Sequence, residues 1–101
     1  MDAAYFEEHI MDELDGACDY IKKAIELKAM DAGMSKIFAE MSAAELNHAT
    51  SLHKMFGEYY TKVTGVYKET PAYLKEAKQD IDEYYPTKSA NILLMHEMYK
   101  K

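Results

Sequence analysis

Glu45 and His48 stand three residues apart in a stretch whose other positions on the same helix face are apolar. One face of a helix recurs at i, i+3, i+4 and i+7. Here it reads Phe38, Met41, Glu45, His48, Leu52, Met55 and Tyr59. A carboxylate buried without a partner is costly and takes up a proton rather than stay charged. A Glu-x-x-His pair on an inward face escapes that cost when both groups bind one metal ion. The pattern alone is weak, because 11 Glu and 4 His in this chain give roughly 0.4 such pairs by chance. A second anomaly strengthens it. The preceding apolar face, Phe6, Ile10, Glu13, Ala17, Tyr20, Ala24 and Leu27, has Glu13 as its one charged member.

The elements that must position these groups are helices. Asp2 is a suitable N-cap for a first helix running to about Ala29. Its acidic first turns, and Lys22, Lys23 and Lys28 towards its end, suit the helix dipole. A connection over Met30 to Met34 follows, with Asp31 as the next cap and Gly33 relaxing the turn. A second helix then extends to about Tyr60 or Lys62. So short a link makes the two helices antiparallel neighbours. Thr61 to Thr70 reads as a linker, since Val63, Thr64, Gly65 and Val66 disfavour helix. Pro71 suits the first position of a third helix carrying Leu74, Ala77, Ile81 and Tyr84. Pro86 is expected to break or kink it before Thr87 to Tyr99 resumes the pattern. The expected fold is all-α: a helical hairpin over residues 1–62, then a linker and kinked C-terminal helix over 63–101 in the same domain.

With the turn centred near residue 31, Glu13 lies about 18 residues before it and Glu45 about 14 after, a height mismatch of roughly 6 Å. Glu13, Glu45 and His48 can therefore converge between the two helices. Three ligands do not fill an iron coordination sphere, and a two-helix hairpin does not enclose a core. A second copy, packed face to face around a two-fold axis, remedies both. It completes a four-helix bundle with four carboxylates and two imidazoles around two metals. That mixed donor set suits iron or manganese, with zinc also possible.

Glu13 through Tyr20 resembles the first-helix Glu-x6-Tyr pattern of rubrerythrins. Ala44 to Ala49 resembles the second-helix Glu-x-x-His-Ala pattern of the ferritin-like superfamily. The resemblance covers about residues 5–60. It is similar to the short half-ferritin type, which completes its site by association. The resemblance implies that Glu13, Glu45 and His48 are iron ligands, with Glu45 bridging. It also implies oxidation of Fe(II) by dioxygen or peroxide for iron storage or detoxification. Anionic oxygen ligands stabilise Fe(III) more than Fe(II), which favours that oxidation. The rubredoxin-like domain of rubrerythrins, whose iron needs four cysteines, has no counterpart in a chain with Cys18 alone.

Around this trio stand secondary candidates. Tyr20, two turns after Glu13, is either a core tyrosine or a hydrogen-bond donor to a ligand carboxylate across the dimer. His9, four residues before Glu13, is a further candidate ligand. Glu8, Asp12, Asp15 and Asp19 form an acidic stripe, either a solvated face or a lure for ferrous ions. His53 and Glu40 are expected to face solvent.

Composition narrows the classes. The chain has 101 residues, enough for one domain, and a net charge of −6 with no arginine. Nucleic-acid binding needs basic stripes and is not expected. No apolar run approaches a membrane span, and the acidic N-terminus lacks a signal-peptide pattern. A cytoplasmic location is expected. Eight methionines and nine tyrosines suit adaptable helix packing and an interface both apolar and hydrogen-bonded. The alternative to an iron-binding homo-oligomer is a non-catalytic helical adaptor with a structural or vestigial metal site.

Overall fold

In a computed structural model, residues 2–101 are described and form three helices in a rod of 57 × 20 × 15 Å. They are α1 (Ala3–Leu27), α2 (Ala32–Val66) and α3 (Ala72–Lys100). None is long and apolar enough to cross a membrane. Both expected caps form. The Asp2 carboxylate accepts from the Tyr5 N–H at 3.0 Å, and Asp31 from the Met34 N–H at 3.0 Å. Each satisfies an N–H that has no partner inside its helix.

The α1–α2 turn is tighter than expected. It occupies residues 28–31, so Gly33 and Met34 already belong to α2. At its other end α2 runs through residues 61–66, expected to be linker. The hydroxyls of Thr61 and Thr64 donate to the carbonyls of Gly57 (3.0 Å) and Tyr60 (2.8 Å). Val63 packs on the core. Extending an existing helix is far easier than nucleating one, so a few weak helix formers do not end it. Only residues 67–71 remain as linker. Pro86 lies inside α3 without breaking it, although it forfeits one backbone hydrogen bond.

α1 is buried along two flanks. Phe6, Ile10, Ala17 and Ala24 are buried as the spacing predicts, and Leu14 and Ile21 are buried too, because α3 also packs on α1. On α2 the buried row is Ser35, Ser42, Ala49 and Phe56, at strict seven-residue spacing. The small side chains let α2 approach α1. The Ser35 and Ser42 hydroxyls donate to the carbonyls of Ala24 and Ala17 at 2.5 and 2.6 Å. Both are thereby satisfied where water cannot reach. Phe6, Phe56 and Tyr59 close the open end of the hairpin, with ring centroids 5.4–6.5 Å apart.

α3 touches α2 along a thin seam. His53, expected in solvent, is half-buried and stacks on Tyr85 at 4.0 Å with planes 6° apart. The Tyr85 hydroxyl lies 3.0 Å from Thr50 Oγ1, and His96 Nε2 lies 2.9 Å from Ser42 Oγ. Desolvation lowers the pKa of both histidines, and Asp82 near His53 and Glu97 near His96 only partly oppose it. The unfolded chain therefore binds these protons more readily. Their contribution is complete above the unfolded pKa of about 6.5 and falls as pH drops below it. Between pH 7.5 and 5.5 the urea midpoint is expected to decrease. In the His53→Gln/His96→Gln variant that slope should flatten; an unchanged slope contradicts the assignment.

The seam also orients the hairpin. Leu46, Thr50 and His53 lie on one side of the buried α2 row and turn towards α3. Glu45, His48 and Leu52 lie on the other side, on the face α3 leaves open.

Candidate metal centre

Glu13 of α1 and Glu45 and His48 of α2 meet on that open face. Each offers a ligand atom, and these atoms all lie within 4.8 Å of one another. The short turn explains the match in height. From its centre, between residues 29 and 30, Glu13 is about 16.5 residues away and Glu45 about 15.5, leaving a difference near 1.5 Å.

The site brings two carboxyl groups and an imidazole to one point. His48 Nδ1 is 3.5 Å from Glu13 Oε2, and that oxygen is buried with no hydrogen-bond partner. The Glu45 carboxyl is raised above its ordinary pKa. The Glu13 carboxyl holds it by a hydrogen bond, burial and the Glu13 charge add to this, and His48 opposes it. Two carboxyl groups this close share a proton more easily than they both ionise. A divalent cation bound there would replace that proton and give the unpartnered Glu13 oxygen a partner. The donor set of two carboxylates and one imidazole fits iron, manganese or zinc.

The trio is less enclosed than the apolar spacing suggested. The His48 side chain is 61 % exposed and that of Glu13 25 %. The face drawn through Phe38, Met41, Glu45, His48, Leu52, Met55 and Tyr59 is rotated from the buried row, so it forms the rim of the hairpin rather than its centre. Its outer members remain open: Met34, Met41 and Met55 are 49 %, 39 % and 43 % exposed. With His48 they form a second row at seven-residue spacing, the periodicity of helices that wrap around one another. Among the described residues no helix covers this row.

Gly16 positions the pair. A Cβ there would stand 3.4 Å from Glu45 Oε2 and 3.8 Å from its Cγ and Cδ. Glycine inside α1 costs about 1 kcal/mol against alanine, and the space it leaves is taken by the Glu45 carboxylate. Gly16→Ala is expected to raise the thermal midpoint and leave metal binding nearly unchanged, since its Cβ would meet the Glu45 carboxylate at ordinary contact distance. Gly16→Leu should displace the carboxylate and weaken metal binding about tenfold or more, read by isothermal titration with Mn(II). Unchanged affinity in Gly16→Leu contradicts this role.

The secondary candidates fall elsewhere. Tyr20 is half-buried against Phe38, ring centroids 6.0 Å apart, and its hydroxyl makes no hydrogen bond among the described residues. His9 does not join the cluster; its ring packs on Tyr5 at 4.1 Å, one turn towards the N-terminus. The acidic stripe of α1 faces away from the trio, since Asp15 accepts from the Tyr84 hydroxyl of α3 at 2.6 Å. Ser42 is a structural contributor that apolar periodicity passes over, because it scores neither small size nor a hydroxyl. Comparisons with family models, with curated proteins and with solved structures find no match to this chain.

Proposed function

We propose that this chain is a ferritin-like di-iron carboxylate protein that binds Fe(II) between two copies and oxidises it for storage or detoxification. The observation that carries this reading is the convergence of Glu13, Glu45 and His48 on the face of the hairpin that α3 leaves open. A second copy on that face brings its own trio to the first and covers the Met34, Met41 and Met55 row. Burying each such side chain contributes about 1.5–3 kcal/mol. The pair then presents two imidazoles and four carboxylates to two irons, in a four-helix bundle flanked by the two α3 helices.

Iron here is substrate as well as cargo. Each Fe(II) loses one electron; two of them, with two protons, reduce dioxygen to hydrogen peroxide. The carboxylates favour the product, because the higher charge of Fe(III) gains more from anionic oxygen. The half-buried Phe38, Leu52 and Tyr59 beside the trio limit access of bulk water once the second copy is in place. The free Tyr20 hydroxyl is available to a carboxylate of the sister chain.

Anaerobic addition of Fe(II) followed by air tests the reading. The expected result is oxygen uptake in step with a rise in near-ultraviolet absorbance, saturating near one iron per chain. Iron that binds without oxygen uptake indicates a structural metal site. A folded chain that neither binds Fe(II) nor changes on its addition supports the helical adaptor.

A further inference from the structure

Away from the metal centre, α1 and α3 enclose a groove that the iron chemistry does not use. Its floor is apolar, made by Ile10, Met11, Ile81 and Tyr84, and its main cavity is about 480 Å³. A second cavity of about 360 Å³ lies against Ala3, Tyr73 and Ala77 and shares Glu7 and Asp80 with the first. The two meet at Glu7 and Asp80 and together line α3 from Tyr73 to Lys88, about 22 Å by helical rise.

Both banks of the groove are acidic. On α3, Glu76, Asp80 and Glu83 recur at i, i+4 and i+7. On α1, Glu7 lines both cavities and stands one turn from Met11. No ion pair of the described residues involves Glu7, Glu76, Asp80 or Glu83. Lys88 is the one cation of the lining, and it is already 3.7 Å from Asp15. The crowding is felt at Glu7, whose carboxyl is raised by desolvation and then by Asp80 and Glu76. An apolar floor rimmed by Glu7, Glu76, Asp80 and Glu83, none of them ion-paired among the described residues, complements one shape and charge: a helix with an apolar edge flanked by basic side chains.

We infer that the α1–α3 groove docks a lysine-rich amphipathic helix of a partner protein, its apolar edge on Met11 and Tyr84 and its ammonium groups on Glu7, Asp80 and Glu83. The groove takes about four turns of helix. It lies on a different face from the Glu13–Glu45–His48 trio, so docking and metal binding are independent.

The probe is a fluorescein-labelled leucine–lysine peptide patterned as an amphipathic helix of about four turns, read by anisotropy against the full chain at moderate salt. Saturable one-to-one binding is expected, weakened at least about tenfold by Asp80→Lys/Glu83→Lys and also weakened by Met11→Ser. The pair Glu26→Lys/Glu97→Lys changes net charge equally but lies outside the groove, and should leave binding intact. Equal weakening by both charge-reversed pairs means bulk attraction to an acidic protein and overturns the inference. So does equal binding of a peptide with glutamine in place of leucine. Displacement of the peptide by spermidine at matched ammonium concentration reassigns the groove to small polyamines, which also overturns it.

Discussion

Glu45→Ala is expected to abolish iron loading while leaving the metal-free chain folded and at least as stable as wild type. The two halves of this result have one cause. Without a cation, Glu45 is disfavoured where it stands: the Glu13 carboxyl and partial burial raise its pKa, so its ionised form is a liability at neutral pH. Removing it relieves that conflict and costs no core packing, since the buried row of α2 is Ser35, Ser42, Ala49 and Phe56. With iron present the balance reverses. In the proposed site Glu45 would touch the same ion as Glu13 and His48, and one carboxylate lost per chain would leave each iron short of oxygen donors. Changing only the support of a ligand costs about 10–100-fold in metal affinity, and losing the ligand costs more. Isothermal titration and thermal melting of the metal-free variant check both halves. A variant that loses metal binding because it is unfolded, or one that loads iron like wild type, contradicts the assignment.

Met41→Lys is expected to leave a folded monomer that no longer pairs. Met41 sits one turn before Glu45 on the open face and is 39 % exposed in the single chain. Covering a methionine contributes about 2 kcal/mol, and two-fold symmetry counts it twice. Loss of about 4 kcal/mol corresponds to nearly a thousandfold in the dissociation constant, and two lysines brought together add repulsion. Sedimentation should show monomer where wild type is dimer. Circular dichroism should be unchanged, because Met41 lies outside the buried core. Iron oxidation should fall with pairing. Retained dimer in Met41→Lys removes this face as the interface.

The candidate site was legible because its residues violate a local pattern. Glu13, Glu45 and His48 interrupt apolar spacing, and helix geometry alone brings them to one height. The helix starts at Asp2 and Asp31 were equally plain, since side-chain capping acts over three residues and needs no tertiary context. What periodicity misjudged was rotation. Ser35, Ser42 and Ala49 do not look like a core row, yet close approach to α1 selects small residues and gives the hydroxyls the Ala24 and Ala17 carbonyls. That turns the Met41, His48 and Met55 edge outward. The second flank of α1, with Leu14 and Ile21, depends on where α3 packs, and spacing within α1 does not encode it. Residues 61–66 read as linker because propensity was weighed residue by residue, while helix extension is cooperative. His53 likewise owes its burial to Tyr85, a residue of another helix.

Native mass spectrometry of the full chain, with and without anaerobic Fe(II), tests most directly whether Glu13, Glu45 and His48 share iron with a sister chain. The expected spectrum shows an assembly of paired chains carrying two irons per pair, with Glu45→Ala carrying none. Iron bound to single chains, or equal iron on wild type and Glu45→Ala, contradicts the shared site.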